Sequence, residues 1–289
     1  MSPASGAPEI TAKHIDGHLA GADGKSIFWQ AYLPETDPKA VLVIAHGAGE
    51  HGSRYRYVFE RLVPAGYAIY AIDHRGHGRS EGTGAQIDRM AHVLSDLDQL
   101  VDLARREHPE VKQFLLGHSM GGCISISYAL AHQEKLDGLV LSSPLAALEA
   151  APLPLRLIAQ ALSFAAPGLP LIGVESDGVS RDPGEVADYN ADPLVHHGKL
   201  PARTVQELAL RIGRFEAEAP TLTLPLLVMI GTADTLCPPA GGTMIHDRAA
   251  STDKTLKSYD GYFHELFNEP AGDRDVALDD LAAWLDQHA

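Results

Sequence analysis

FLLGHSMGG, residues 114–122, places a Gly-x-Ser-x-Gly pattern between an apolar run and the helical pattern Met120–His132. A serine in this position sits on a strained turn, where strand and helix approach so closely that the flanking residues must be glycine. Parallel strands end at a common edge of their sheet. The motif therefore predicts that the Ser119 hydroxyl is presented at the carboxyl edge of such a sheet, as a candidate nucleophile.

Apolar runs on both sides of this motif predict the remaining strands. They alternate with helical patterns, which indicates βαβ units and an α/β fold with a mostly parallel central sheet flanked by helices. Before them, two alternating segments between Ile10 and Leu33 flank Asp23-Gly24, which predicts a β-hairpin at the sheet edge. The predicted strands are Val41–Ala45, Tyr67–Ile72, Phe114–Leu116, Leu139–Leu141, Leu226–Ile230 and Thr255–Tyr259, and the predicted helices are Tyr57–Val63, Ile87–Glu107, Met120–His132, Gly242–Ala250 and Val276–Gln287.

The alternation of strand and helix stops after Pro144 and resumes at Pro225. We expect residues 1–144 and 225–289 to form the core, and residues 145–224 to form an inserted helical cap. Within the insertion, Leu155–Ala166 is apolar around nearly the whole helical wheel, which fits either a fully buried helix or one with a face towards a ligand or lipid. Prolines interrupt this region well short of the ~20 residues that a membrane-spanning helix needs.

The composition is that of a globular protein with a substantial core: 289 residues, of which 45% are hydrophobic and 21% charged. A net charge of -15 opposes binding to nucleic acid or to an anionic membrane through charge. Two cysteines provide neither a disulfide framework nor a four-thiolate metal site. No pattern typical of a signal peptide begins the sequence, so we expect a cytoplasmic protein without a nucleic-acid partner.

A serine hydroxyl needs a base to take its proton and an acid to orient that base, and after a Gly-x-Ser-x-Gly turn these follow in the order Asp or Glu, then His. Asp234 follows the predicted strand Leu226–Ile230, and His264 follows the predicted strand Thr255–Tyr259. Both residues therefore fall at strand ends after Ser119, and we predict that the three form a catalytic triad. The alternative makes Asp234 a helix cap and His264 a surface loop residue.

An oxyanion hole needs two backbone N–H groups aimed at the developing negative charge. The residue after the nucleophile, Met120, provides one, and Ala48 in the glycine-rich loop after Val41–Ala45 is the candidate for the other. The same loop contains Gly-x-Gly-x-x-Gly at residues 47–52, with Asp73 about twenty residues further on, as in dinucleotide binding. That alternative leaves the serine, aspartate and histidine unexplained. Zinc motifs are matched only incompletely, so we predict no metal and no cofactor.

Five ordered motifs make the chain resemble the monoglyceride lipases of the α/β-hydrolase superfamily, and in particular the bacterial monoacylglycerol lipases. The resemblance extends over nearly the whole chain. It implies an α/β-hydrolase fold, the triad and oxyanion hole named above, and a mobile cap over an acyl tunnel. The motifs are HGAGEHGSRY (residues 46–55), DHRGHGRSEG (73–82), GHSMGG (117–122), GTADTLC (231–237) and GYFHELFNE (261–269).

The resemblance implies hydrolysis of monoacylglycerols to glycerol and fatty acid, with Glu50 near the glycerol end and Cys237 as a pocket thiol that a thiol reagent would modify. We further expect Leu157 and Phe164 to contact the lipid substrate, and the cap to touch membranes or micelles transiently. A lysophospholipase, a broad carboxylesterase, a non-hydrolytic receptor and a lipid-surface adaptor remain as alternatives. The oligomeric state is left open.

Overall fold

The computed structural model describes residues 12–148 and 160–289, and Leu157 lies outside these ranges. An eight-stranded sheet runs through the centre in the order β1-β2-β4-β3-β5-β6-β9-β10. β1 pairs with β2 and β2 with β4 in antiparallel fashion, whereas the other neighbours are parallel. The strands are β1 (Lys13–Ala20), β2 (Ser26–Leu33), β3 (Ala40–Ala45), β4 (Tyr67–Ile72), β5 (Lys112–His118), β6 (Gly138–Ser142), β9 (Leu226–Gly231) and β10 (Lys254–Tyr259).

Helices cover both faces of this sheet, and residues 160–165 are also helical. Alternate residues of β3 show why its sequence is continuously apolar: Val41 and Val43 pack into one buried cluster, while Leu42 and Ile44 pack into another on the opposite face. The mostly parallel α/β architecture is thus confirmed. The helices are α1 (Arg56–Leu62), α2 (Met90–Glu107), α3 (Met120–His132), α4 (Pro183–Ala191), α5 (Ala202–Glu218), α6 (Pro239–Arg248) and α7 (Ala271–His288).

The N-terminal hairpin forms as predicted and lies at the sheet edge. β1 and β2 pair from Lys13 with Leu33 to Ala20 with Ser26. Gly24 closes the turn with a φ of 82°, in the left-handed region where glycine carries no steric penalty. The described part of the hairpin begins after Ile10, so its first predicted residues are not included.

Between β6 and β9, the described residues contribute no strand to the central sheet. β7 (Pro170–Ile172) and β8 (Leu200–Pro201) pair with each other instead. The rest of the described secondary structure of this segment is the helical stretch 160–165, α4, α5 and two short 3-10 turns. The amphipathic α5 turns Leu208, Ile212 and Phe215 inward. Within residues 12–148 and 160–289, no helix is both long and apolar enough to cross a membrane.

Candidate active site

Ser119 occupies the sharp turn between β5 and α3. Its φ of 54° and ψ of -120° are strained for a residue with a side chain. A Cβ on Gly117 would lie 2.4 Å from Gly121 O, and a Cβ on Gly121 would lie 2.0 Å from Ala45 O. The backbone segments therefore meet more closely than any side chain permits, which explains the two glycines of the motif.

Asp234 and His264 meet through a buried hydrogen bond. Asp234 Oδ2 lies 2.7 Å from His264 Nδ1, while Asp234 Oδ1 accepts hydrogen bonds from the amides of Leu236 at 2.8 Å and Cys237 at 2.9 Å. Burial acts to raise the pKa of Asp234, but the bond to His264 and the two amides outweigh it and hold that pKa below its usual value. The carboxylate is thus ionised and fixed in orientation, facing the imidazole.

The Ser119 side chain lies beside this pair. Its Oγ is 3.7 Å from Cys237 Sγ, and in the described part of the chain this is its side-chain hydrogen-bonding contact. Catalytic hydrogen bonds in ligand-free enzymes are often unformed, so a serine turned away from the base is compatible with a nucleophilic role. Burial, reinforced by the charge of Asp234, raises the pKa of the Cys237 thiol well above its usual range.

The two candidate oxyanion amides flank the serine. Met120 is the first residue of α3, and Ala48 belongs to the loop that follows β3. Neither amide donates a hydrogen bond to another group within the described residues. Both therefore have a free N–H, as an oxyanion hole requires.

These groups lie at one end of a pocket with an empty volume of about 870 Å³, its open mouth included. Most of its wall is apolar, and residues between β6 and β9 provide the larger part of that wall. The end that holds Ser119 and His264 is polar, because Glu50, His118 and Glu265 line it as well. The apolar lining residues are Leu145, Leu148, Ile172, Val174, Val179, Leu200, Val205, Leu208 and Leu236.

A buried charge network forms the polar end. Arg54 bonds to Glu50 through Nε at 3.2 Å and to Glu265 through Nη2 at 2.6 Å. Burial acts to raise the pKa of Glu50, but His118, Arg54, the Gly47 amide and the Tyr55 hydroxyl lower it. For Glu265, burial prevails over Arg54, and its pKa is raised. One arginine thus serves two carboxyl groups beside the candidate base.

The predicted site residues do not include Arg54 or Glu265. The spacing of Glu50 and Arg54, four residues apart, was the available signal, because oppositely charged residues at this spacing often pair. Glu265 directly follows the candidate base His264 in the chain. Nothing in its sequence context pointed to a bond with a residue more than two hundred positions earlier.

Phe164 does not line the pocket. Its side chain is 68% exposed, with the Arg203 guanidinium 4.9 Å from the ring centroid. Glu50 and Cys237 do line it, together with Ala48. The structure therefore brings these three predicted residues to Ser119 and His264, and leaves Phe164 on the surface.

Asp73, which would bind the ribose if residues 47–52 held a dinucleotide, is not free to do so. Asp73 is fully buried, and its two oxygens accept hydrogen bonds from the amides of Gly52 and Arg79, each at 2.8 Å. Elsewhere in the described chain, Asp23, Asp88 and His92 show metal-ligand spacing. Arg75 contacts all three within 3.4 Å, so a cation already occupies the centre of that group.

Comparison with known proteins agrees with this geometry. The family model described as serine aminopeptidase, S33, matches residues 36–271. A monoacylglycerol lipase from Mycolicibacterium smegmatis is 40% identical over 96% of this chain and 99% of its own, and a monoglyceride lipase from Rattus norvegicus is 36% identical over 98% and 95%. The crystal structure of the Paleococcus ferrophilus monoacylglycerol lipase superposes with a TM-score of 0.80 at 29% identity, covering 97% of this chain and 100% of that one. The chain therefore belongs to the monoacylglycerol lipase family of the α/β-hydrolase superfamily.

Proposed function

We propose that this protein is a serine hydrolase that cleaves a monoacylglycerol to glycerol and a free fatty acid through an acyl-enzyme. The observation that carries the proposal is the position of Ser119 and the Asp234–His264 pair, where an apolar pocket meets a buried polar wall. The names of the relatives support the same substrate class.

In the proposed reaction, the Ser119 side chain rotates from Cys237 towards His264 Nε2, which takes the hydroxyl proton as Oγ attacks the ester carbonyl. Asp234 holds the imidazole through Nδ1 and stabilises the imidazolium. The amides of Ala48 and Met120 bind the oxyanion. His264 then protonates the departing glycerol oxygen, and a water molecule attacks the acyl-enzyme by the same sequence to release the fatty acid.

The pocket supports a substrate with one apolar and one polar half. The aliphatic wall suits an acyl chain, and the polar end lined by Glu50, His118 and Glu265 suits the hydroxyls of glycerol. The reacting ester would lie between the two, beside Ser119.

We propose that residues 145–224 act as a cap on a core formed by residues 1–144 and 225–289. The cap is tied to the core where Thr204 Oγ1 donates to Ala85 O at 2.9 Å and accepts from Ile87 N at 2.8 Å. In this segment, Phe164, Leu169 and Ile172 expose apolar side chains. These side chains support transient contact with a lipid surface, by hydrophobic attraction rather than charge.

The test of lipid contact compares Phe164→Asp with Val276→Asp, because Val276 is a half-exposed apolar residue on α7 outside the pocket wall. Vesicle co-sedimentation and turnover of micellar substrate should fall in the first variant only, while turnover of a soluble short-chain ester is retained. Equal behaviour of both variants would remove the lipid-contact proposal.

The test of function measures fatty-acid release from a medium-chain monoacylglycerol, beside the matching diacyl- and triacylglycerols and a lysophospholipid. Ser119→Ala should lower turnover by roughly 10⁴- to 10⁶-fold with the fold unchanged. Ser125→Ala is the matched control, because Ser125 is a buried serine of α3, the helix that begins directly after Ser119. Faster turnover of the lysophospholipid would reassign the substrate, and slow deacylation after fluorophosphonate labelling, with no turnover, would favour a receptor.

A further inference from the structure

His118 leaves one ring nitrogen without a protein partner at the wall of the pocket. The residue is only 5% exposed, and it lines the pocket together with Glu50 and Ser119. Its Nδ1 lies 3.0 Å from Ser142 O. Within the described residues its Nε2 has no hydrogen-bond partner, and this atom is not among the buried polar atoms that are closed off from solvent. His118 lines both this pocket and the small polar cleft that adjoins it at Glu50 and Glu265. A polar atom that is open to a cavity and has no protein partner indicates a ligand or water.

The partner of Nδ1 determines what Nε2 can bind. A carbonyl oxygen only accepts hydrogen bonds, so Nδ1 carries the hydrogen that Ser142 O receives. Burial and the adjacent His264 lower the pKa of His118 to about 4, which keeps the ring neutral near pH 7. Nε2 is therefore a lone-pair acceptor, and its complement is a hydroxyl or another donor.

Glu50, the other acceptor on this side of Ser119, is already engaged. Its Oε1 accepts from the Gly47 amide at 2.5 Å and from the Tyr55 hydroxyl at 2.8 Å, and its Oε2 accepts from Arg54 at 3.2 Å. His118 Nε2 thus offers a free acceptor next to the candidate nucleophile, at the end of the pocket where the alcohol half of an ester would lie.

We propose that His118 Nε2 accepts a hydrogen bond from a free hydroxyl of the ester's alcohol half, so that His118 favours glyceryl esters over esters of simple alcohols. This inference rests on the proposed ester hydrolysis. It makes His118 a substrate-binding residue, distinct from the groups that perform the proton transfer and bind the oxyanion.

A purely structural role is the competing explanation, because the His118 ring lies 4.6 Å from the His264 ring, centroid to centroid. The two roles differ in what they predict for an ester whose alcohol carries no hydroxyl. Loss of packing against His264 slows every ester alike, whereas loss of the acceptor slows only the hydroxyl-bearing one. Ser142 O retains the Ser119 amide at 3.2 Å when the His118 donor is removed, so the substitution leaves no buried carbonyl unpaired.

The experiment measures kcat/KM for a monoacylglycerol and for the methyl ester of the same fatty acid. His118→Phe keeps a ring against His264 but has no acceptor. His118→Gln places an amide oxygen near the position of Nε2. His118→Asn retains a donor towards Ser142 O without an acceptor at Nε2, and it replaces the phenylalanine variant if that variant unfolds.

Wild-type turnover of the monoacylglycerol is measured first, so a failure of the proposed function is seen there, separately from the variants. The ratio of kcat/KM for the monoacylglycerol to that for the methyl ester should fall roughly 3- to 10-fold in His118→Phe and His118→Asn, mainly through KM, and recover in His118→Gln. An unchanged ratio overturns the inference. A parallel fall for both esters also overturns it and assigns His118 to the support of His264.

Discussion

Asp234→Asn replaces one carboxylate oxygen of the proposed triad with an NH₂ group. The hydrogen bonds around this side chain determine which way the new amide faces. The Leu236 and Cys237 amides both point at Oδ1, so the asparagine oxygen is held there and its NH₂ group faces His264. His264 Nδ1 must then accept a hydrogen bond, which places the ring proton on Nε2. In that tautomer His264 cannot take the proton of Ser119.

The asparagine can restore the active tautomer by turning its oxygen to His264, but its NH₂ group then faces the two amides. Leaving two buried donors unpaired costs about 1–3 kcal/mol each. Since 1.36 kcal/mol corresponds to a factor of ten, the active rotamer becomes roughly 30- to 10⁴-fold rarer, and we expect kcat to fall in that range.

The assay measures single-turnover acylation and steady-state hydrolysis of a chromogenic ester, with folding checked by circular dichroism. Asp260→Asn is the matched control, because Asp260 is an exposed carboxylate just after β10 that bonds to Thr232 rather than to a histidine. It should retain full activity. An Asp234→Asn enzyme with more than a tenth of the wild-type kcat would refute the orientation argument.

Three further predictions concern packing, the pocket thiol and the buried charges. Gly121→Ala should lower the free energy of unfolding by about 3 kcal/mol, because its Cβ would lie 2.0 Å from Ala45 O. The control Gly213→Ala changes an open position on α5 and should not destabilise the protein. Equal melting temperatures of the two variants would contradict this prediction. The raised pKa of Cys237 should make its alkylation by maleimide slow near pH 7.5. The modified protein should be inactive, because Cys237 Sγ lies 3.7 Å from Ser119 Oγ. Full turnover by the modified protein would show that this thiol is not part of the active site. Arg54→Met should destabilise by about 3–5 kcal/mol, because it leaves the buried Glu50 and Glu265 carboxylates unpaired. The pKa values of both carboxyl groups then rise above those of the unfolded chain, so the folded variant binds more protons than the unfolded one. The loss in free energy of unfolding relative to the wild type should therefore shrink from pH 8 to pH 5. Chemical denaturation that shows the same loss at both pH values would exclude this origin.

The sheet could be predicted because burial on both faces leaves continuous apolar runs. β3, β4, β6 and β9 appear at their predicted positions to within a residue or two, and the hairpin at Asp23-Gly24 forms as predicted. Helix ends were less accurate. α2 was predicted from Ile87 but begins at Met90, because the Ile87 amide bonds to Thr204, a residue 117 positions away that no local pattern reveals.

Between β6 and β9 the sequence predicted an insertion but not its contents. β7 has three residues and β8 has two, which is too few to recognise an alternation of apolar and polar residues. α5 carries a clear amphipathic pattern that was not among the predicted helices. Only the last part of that apolar segment is described, where residues 160–165 are helical.

For the site, chain order and strand ends were sufficient to bring Ser119, Asp234 and His264 together, because each follows a strand of one parallel sheet. The polar wall could not be derived in the same way. Arg54 joins a residue of its own loop to Glu265, and this pairing depends on how two distant loops pack, which spacing along the chain does not encode.

Two parts of the fold hold the site, and substitutions in them have different effects. The central sheet positions the proposed triad, and the segment between β6 and β9 forms most of the pocket wall. The proposed triad residues follow β5, β9 and β10, whose order and register are fixed by main-chain hydrogen bonds through β6, so their geometry is set by the sheet. The pocket wall belongs largely to the segment between β6 and β9, whose described strands have no ladder with the sheet. Its side chains can change to fit other acyl chains without moving the nucleophile. The segment between β6 and β9 contacts the catalytic loops at more than one point: His196 N donates to Gly49 O at 2.7 Å, directly after Ala48, and Val179 O accepts from Glu265 N at 2.7 Å, directly after His264. A shift of this segment would therefore act on the loop of a candidate oxyanion amide and on the loop of the candidate base together.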